Sequence, residues 1–277
     1  MIEISNLTVG YRPHRPVLKG LDGRFADEAV HGVLGANGVG KTTLLKTLCG
    51  LLVPSAGEVS VDGVAATRRA PSTLREMFFV PEEFDLPPVS LARYASASAP
   101  LYPAFSREAF DNNCRELEID PALRLDSMSM GQRKKALIAF ALSTGVRYLL
   151  MDEPTNGLDI PGKSTLRRLL AAEAARGTTI IISTHQVADL EKLVDSVTIM
   201  DNNGILLTAT TREIERRLSF GRVDKNDECL YKEESLAGTV GVTENRTGEE
   251  TNVDLSLLFN AVAKNRARVN EIMNRKN

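Results

Sequence analysis

The sequence predicts an α/β fold, and three observations carry that expectation. Short runs rich in β-branched and apolar residues, at 30–34, 148–151 and 178–182, have the length of buried strands. Helix-forming stretches separate them, so strand, helix and strand alternate as a layered core requires. Between the first run and a helical stretch opening near Thr43 lies Gly35-Ala36-Asn37-Gly38-Val39-Gly40-Lys41-Thr42-Thr43, which fits G-x-x-x-x-G-K-[ST].

In chain order, residues 2–34 read as short strands divided by turns at 10–13 and 19–23, a β-rich edge leading into the core. A helix is expected to follow the glycine-rich loop and run to about Leu51, where Val53-Pro54-Ser55-Ala56-Gly57 stops it. Residues 58–63 read as a strand with an Asp-Gly turn, and the sheet resumes near 77–80. From Pro87 to about Asp126 short helical stretches are interrupted by Pro100, Pro103 and Pro121, and a helix continues over 132–144. Residues 87–144 are therefore expected to form an inserted helical lobe.

After Ala209 the pattern loses regularity, with charge clusters and Gly238, Gly241 and Gly248, until a last helix from Asp254 to Met273. A boundary near 220 divides a main domain, 1–220, from a C-terminal accessory extension, 221–277. The extension is small for an independent core, so it is expected to pack on the main domain, with its polar end, 270–277, frayed.

Composition narrows the functional classes. With 34 basic and 36 acidic side chains the formal charge is -2, which gives no global electrostatic case for nucleic acid or an anionic membrane. Cys49, Cys114 and Cys229 are odd in number and lack paired metal-ligand spacing, so incidental thiols in a reducing compartment fit better than a disulfide framework or a zinc site. No basic segment followed by a long apolar run opens the chain, and its apolar runs are too short for a membrane helix. A cytoplasmic protein is expected, and any membrane role needs a partner.

The glycine-rich segment carries the first chemistry. A chain wrapped round a triphosphate turns tightly and brings backbone N–H groups close to oxygens, an approach a Cβ obstructs, so Gly35, Gly38 and Gly40 suit it. Lys41 is placed to reach β- and γ-phosphates as a point charge, and the Thr42 hydroxyl to take a Mg²⁺ position ahead of Thr43 and the helix. The segment is a P-loop. The fold expected is a P-loop NTPase core with an antiparallel β edge subdomain, an inserted helical lobe and a short C-terminal extension.

Two strand ends supply the rest. The apolar run 148–151 ends in Asp152 and Glu153, where a buried sheet aims charge at its carboxyl edge. Asp152 suits a Mg²⁺ shell, and Glu153 suits a proton acceptor for an attacking water. His185 follows the β-branched run 178–184 and is placed to link phosphate, water and Glu153 through its two ring nitrogens.

With these residues in order, 2–209 resembles an ATP-binding cassette domain, the ATPase subunit of ABC transporters. The segments that match are the P-loop at 35–43, Ser129-Met130-Gly131-Gln132 as the signature region, 149–153 as the Walker B strand, Leu158-Asp159 in the D-loop, and His185 as the switch histidine. The resemblance implies that Tyr11 stacks on adenine and that Asn37 and the other P-loop residues hold ATP. It also implies a homodimer with two composite sites. In that arrangement Ser129, Gly131 and Gln132 of one protomer face the γ-phosphate held by the other, Asp159 crosses the interface, and the helical lobe transmits closure to a separate permease. The chain would then sit peripherally at the inner face of the cell membrane.

Two positions depart from that pattern. Glu82 stands where the family usually has Gln; it keeps an oxygen for Mg²⁺ but loses the amide donor and adds negative charge. Met130 replaces a signature glycine with a bulky, flexible side chain. The favoured reading is a Mg²⁺-dependent ATPase with an exporter-like permease, the direction preferred because the lobe is short and no large regulatory domain is evident. Two alternatives stand beside it: a nucleotide-dependent regulatory module with weak hydrolysis, and a soluble ABC-type ATPase acting outside transport.

Overall fold

The parallel strands that end at the P-loop and at Asp152 lie side by side in one sheet, and the rest of the fold is arranged round them. The computed structural model describes residues 1–277 apart from 13, 203, 225, 226, 236, 237, 276 and 277. An antiparallel edge sheet comes first, from β1 (Ile2–Val9), β2 (Leu18–Phe25), β4 (Ala56–Val61) and β5 (Val64–Ala65), in the order β2-β1-β4-β5. The central sheet is formed by β3 (Val30–Leu34), β6 (Met77–Val80), β7 (Tyr148–Asp152), β8 (Thr179–Thr184), β9 (Ser196–Asp201) and β10 (Gly204–Thr210), in the order β10-β9-β3-β8-β7-β6. All neighbours in it are parallel except β10 on β9.

Strands β3, β7 and β8 are buried at every position, which fits their near-continuous apolar sequences. Their register places Leu34 beside Thr184, and Asp152 beside Ser183. The ends of three adjacent strands therefore meet at one edge of the sheet.

Helix α1 (Lys41–Leu48) follows the P-loop and stops three residues short of the expected Leu51. The cause is Gly50 at φ 66, where a Cβ would come within 2.3 Å of the Ala66 carbonyl oxygen. A short α2 (Pro71–Arg75) leads to β6. The lobe consists of α3 (Leu91–Ser98), α4 (Arg107–Glu116) and α5 (Met130–Ala141). Ser90, Ser106 and Ser129 cap their N-termini through side-chain oxygens. Fully buried Phe140 gathers the rings of Phe78, Tyr94, Tyr102 and Phe105 at centroid distances of 5.3–6.1 Å, which ties the lobe to β6. Helix α6 (Ile160–Ala174) joins β7 to β8.

Past Ala209 the chain is more regular than its sequence indicates. Helix α7 (Thr211–Arg217) has a Thr210–Glu213 capping box, and β11 (Leu218–Arg222), β12 (Tyr231–Ser235) and β13 (Gly238–Glu244) form an antiparallel sheet in the order β11-β13-β12. Helix α8 (Leu255–Met273), capped by Asp254, starts and ends as expected. Over 270–275 Asn274 N–H donates to the Asn270 carbonyl, and Arg275 pairs with Glu271 and Glu244. Lys276 and Asn277 lie outside the described residues. Leu255, Leu258, Ala261 and Val262 of α8 join the same buried cluster as Phe110, Phe140 and Ile180.

Candidate active site

A cleft of about 280 Å³ opens above the β3 end, lined by Tyr11, Asn37, Gly38, Gly40, Lys41, Thr42, Thr43, Glu82 and Glu153 among others. The P-loop takes its shape from glycine: Gly38 and Gly40 have φ of 84 and 107, and a Cβ on Gly35 would lie 2.8 Å from the Met200 carbonyl oxygen. Lys41 is buried and donates to the carbonyls of Gly35 at 2.8 Å and Ala36 at 3.2 Å. Its Nζ also lies 3.3 Å from Glu153 Oε1. Tyr11 is 58% exposed on the cleft wall, an open ring face available to a planar group.

Asp152 and Glu153 are held differently although adjacent. Thr42 Oγ1 donates to Asp152 Oδ2 at 2.7 Å, and Ser183 Oγ donates to Oδ1. Glu153 accepts from Thr184 Oγ1 at 3.0 Å through Oε2, and its Oε1 lies 2.9 Å from His185 Nδ1. Glu153 is non-glycine yet has φ 45, a left-handed conformation of the kind that surrounding structure must hold in place. Asp152 thus meets two hydroxyls, and Glu153 a hydroxyl, an ammonium and an imidazole.

The convergence of Thr42 Oγ1 and Asp152 Oδ2 is a hard-oxygen donor pair of the kind that suits Mg²⁺, which uses one or two carboxylates and keeps several waters. Glu82 adds a carboxylate to the same cleft, its Oε1 accepting from Asn156 Nδ2 at 2.8 Å. Asn156 Oδ1 in turn accepts from Gln186 Nε2 at 2.8 Å, and Gln186 Oε1 from Lys163 Nζ at 2.7 Å. A hydrogen-bond chain therefore runs from the loop after β6 to the segment after β7, the segment after β8 and α6.

Ser129, Gly131, Gln132 and Asp159 do not line the cleft. Ser129 caps α5 in a reciprocal box with Gln132, and Gly131 abuts the segment after β7, where a Cβ would lie 2.8 Å from the Gly157 carbonyl oxygen. Asp159 caps α6, and a hydrogen bond from Lys135 at 3.2 Å holds its carboxyl below the usual range. Met130 is 71% and Ile160 84% exposed on these same two segments. The residues missed from sequence are Ser183, Thr184, Asn156, Gln186 and Lys134. Ser183 and Thr184 belong to a strand read only for its apolar character, and Lys134 sits in an unremarkable basic run.

Such a fold and cleft define a P-loop nucleotide-binding protein with a carboxylate–histidine pair beside the phosphate loop. A family model described as ABC transporter matches residues 18–156, half of the chain. The Cobalt import ATP-binding protein CbiO of Salmonella typhimurium is 31% identical over 228 residues, 77% of this chain and 82% of that protein. A solved structure of the ATP binding subunit of an ABC transporter superposes with TM-score 0.71 at 25% identity, covering 78% of this chain and 92% of that one. That of cbiO1 from Clostridium perfringens, part of the ABC transporter complex cbiONQ, gives 0.64 at 28% identity over 77% and 89%. The chain belongs to the ABC transporter family, as an ATP-binding and ATP-hydrolysing domain that works with ATP and Mg²⁺. Among the described residues no helix is long and apolar enough to cross a membrane.

Proposed function

We propose that this chain forms a homodimer with two composite ATP sites and drives a separate transmembrane permease from the cytoplasmic face. The observation that carries the reading is that Glu153, on the wall of the cleft that also holds Lys41 and Thr42, meets the Lys41 ammonium on one side and His185 Nδ1 on the other. Lys41 and the P-loop N–H groups hold and neutralise the β- and γ-phosphates, and Tyr11 stacks on the base. Thr42 and Asp152 would hold Mg²⁺, with Glu82 as a further carboxylate in the cleft; the ion when bound would neutralise charge on the phosphate oxygens. Glu153 orients the attacking water and takes its proton for in-line attack, while His185 fixes the carboxylate and faces the γ-phosphate. Ser129, Gly131 and Gln132 of one protomer close on the nucleotide of the other, and Asp159 crosses the interface.

We further propose 1–220 as the ATPase domain, with 87–144 as its helical lobe, and 221–277 as an accessory extension. The exporter-like direction inferred from the compact lobe is set against the import function in the cobalt relative's name. Inside-out and right-side-out vesicles holding the reconstituted permease complex decide between them.

Phosphate release by the wild type and by Glu153→Gln at equal ATP and Mg²⁺, with oligomeric state recorded, tests the main reading. Turnover lost in the variant with ATP-dependent dimers retained supports it. ATP binding without turnover in either protein, even with the permease present, favours the regulatory module to which Glu82 and Met130 point.

A further inference from the structure

Lys134 is a lysine only 3% exposed, on the second turn of α5, and its ammonium does not contact the cleft. It donates from Nζ to the Glu153 carbonyl oxygen at 3.0 Å. The Glu153 N–H is fixed from the other side by the Ser183 carbonyl at 3.0 Å. The peptide groups flanking a strained residue at φ 45 are therefore gripped by one strand and one helix. A buried ammonium is costly unless charge and hydrogen bonding compensate it. Burial pushes the Lys134 amine below its ordinary range, and the carboxylates opposing that shift are Glu82, Asp152 and Glu153, with Glu82 foremost.

We propose that Lys134 is a positioning residue that couples the N-terminal end of α5 to the catalytic carboxylate. It fastens the Glu153 backbone to the helix that opens at Ser129 and Gly131. A shift of that end of α5, as when it closes on another protomer's nucleotide, is passed through one hydrogen bond to Glu153. The inference rests on the reading of Glu153 as the water-activating base given above.

Two variants and three readouts test it. Lys134→Met keeps the length and volume without a donor; Lys134→Gln keeps an N–H donor without the charge. In Mg²⁺-ATP hydrolysis, Lys134→Met is expected to lose at least tenfold in kcat with nucleotide affinity within threefold of wild type, and Lys134→Gln to recover at least threefold of that loss. Amide exchange across 152–158 is expected to speed up in Lys134→Met and to return towards wild type in Lys134→Gln. A kcat for Lys134→Met within twofold of wild type overturns the proposal, as does a common fall of kcat and affinity in both variants. A wild type without turnover fails the functional reading instead; exchange alone then decides, and unchanged exchange in Lys134→Met sinks the coupling.

Discussion

Lys41 Nζ stands 3.3 Å from Glu153 Oε1, and both side chains are buried, so the cation proposed to grip phosphate and the carboxylate proposed to activate water share one ion pair. The pair sits where low local dielectric magnifies charge. Removing Lys41 leaves buried Glu153 with Thr184 and His185 but without its cation, a loss of up to about 3–5 kcal/mol, whereas neutralising both partners costs less. Lys41→Ala is expected to lower thermal stability and weaken ATP binding at least tenfold. Adding Glu153→Gln to that variant is expected to restore stability but not ATP affinity. Melting curves and nucleotide titrations on the three variants give the comparison, and a double variant less stable than Lys41→Ala would contradict the pairing.

Thr42 and Asp152 define a second relationship with a separable outcome. Their 2.7 Å hydrogen bond removes no charge when broken, and Asp152 keeps Ser183 as a donor, so Thr42→Val is expected to cost only about 1 kcal/mol of stability. Its effect falls on the ion: half-maximal turnover is expected to need at least tenfold more Mg²⁺, with ATP affinity measured without Mg²⁺ unchanged. An unaltered Mg²⁺ titration would remove Thr42 from the metal site.

The P-loop and the 152–153 carboxylates were legible because each is a local pattern: glycines and a lysine at fixed spacing, and an apolar run ending in charge. Lys134 was not legible. Arg133, Lys134 and Lys135 look equivalent in sequence, and only the phase of α5 against the core buries the middle one. The chain Glu82–Asn156–Gln186 joins three loops separated by 74 and 30 residues, a juxtaposition no local spacing encodes. The sheet β11–β13 escaped notice for another reason. Its strands carry Gly221, Gly238 and Gly241 and the charged run Lys232-Glu233-Glu234, so strand propensity is weak and pairing supplies the order.

Gly131 touches the segment after β7 closely enough for one methyl group to matter. A Cβ there would come within 2.8 Å of the Gly157 carbonyl, a backbone atom that cannot swing aside like a side-chain tip. Gly131→Ala is therefore expected to displace the α5 start or the 157–159 turn, reducing turnover at least tenfold while nucleotide binding by the monomer stays within threefold. If turnover persists, the contact tolerates adjustment and the two segments are not rigidly coupled.

His31 supplies a pH-dependent handle away from the cleft. Burial lowers its pKa, against the raising effects of the Ala26 carbonyl and Asp195; Nδ1 meets Ser196 Oγ at 2.5 Å and Nε2 meets the Ala26 carbonyl at 2.8 Å. A folded pKa below the unfolded value of about 6.5 means the unfolded chain takes up the proton more readily. The neutral ring's contribution to stability is complete above about pH 6.5 and is lost as pH falls through the lowered folded value. Melting temperature is expected to drop between pH 7 and 5 in the wild type and less steeply in His31→Asn. Equal slopes would show that other groups carry the acid sensitivity.

Leu258 of α8 is fully buried in the cluster that also holds Phe110, Phe140 and Ile180, so the C-terminal helix and the helical lobe share one apolar core. Leu258→Ala removes three carbons from a site that cannot fully collapse, at a cost of roughly 2–5 kcal/mol. If the core is shared, that cost is felt by the whole fold. The calorimetric transition is expected to remain single and to move down by about 2–4 °C for each kcal/mol lost. Truncation before 221 exposes the same surface and is expected to leave a protein prone to aggregation. A Leu258→Ala variant that melts in two steps, with only a small early transition displaced and the main one unmoved, would show instead that the extension is a separate cooperative unit resting on the ATPase fold.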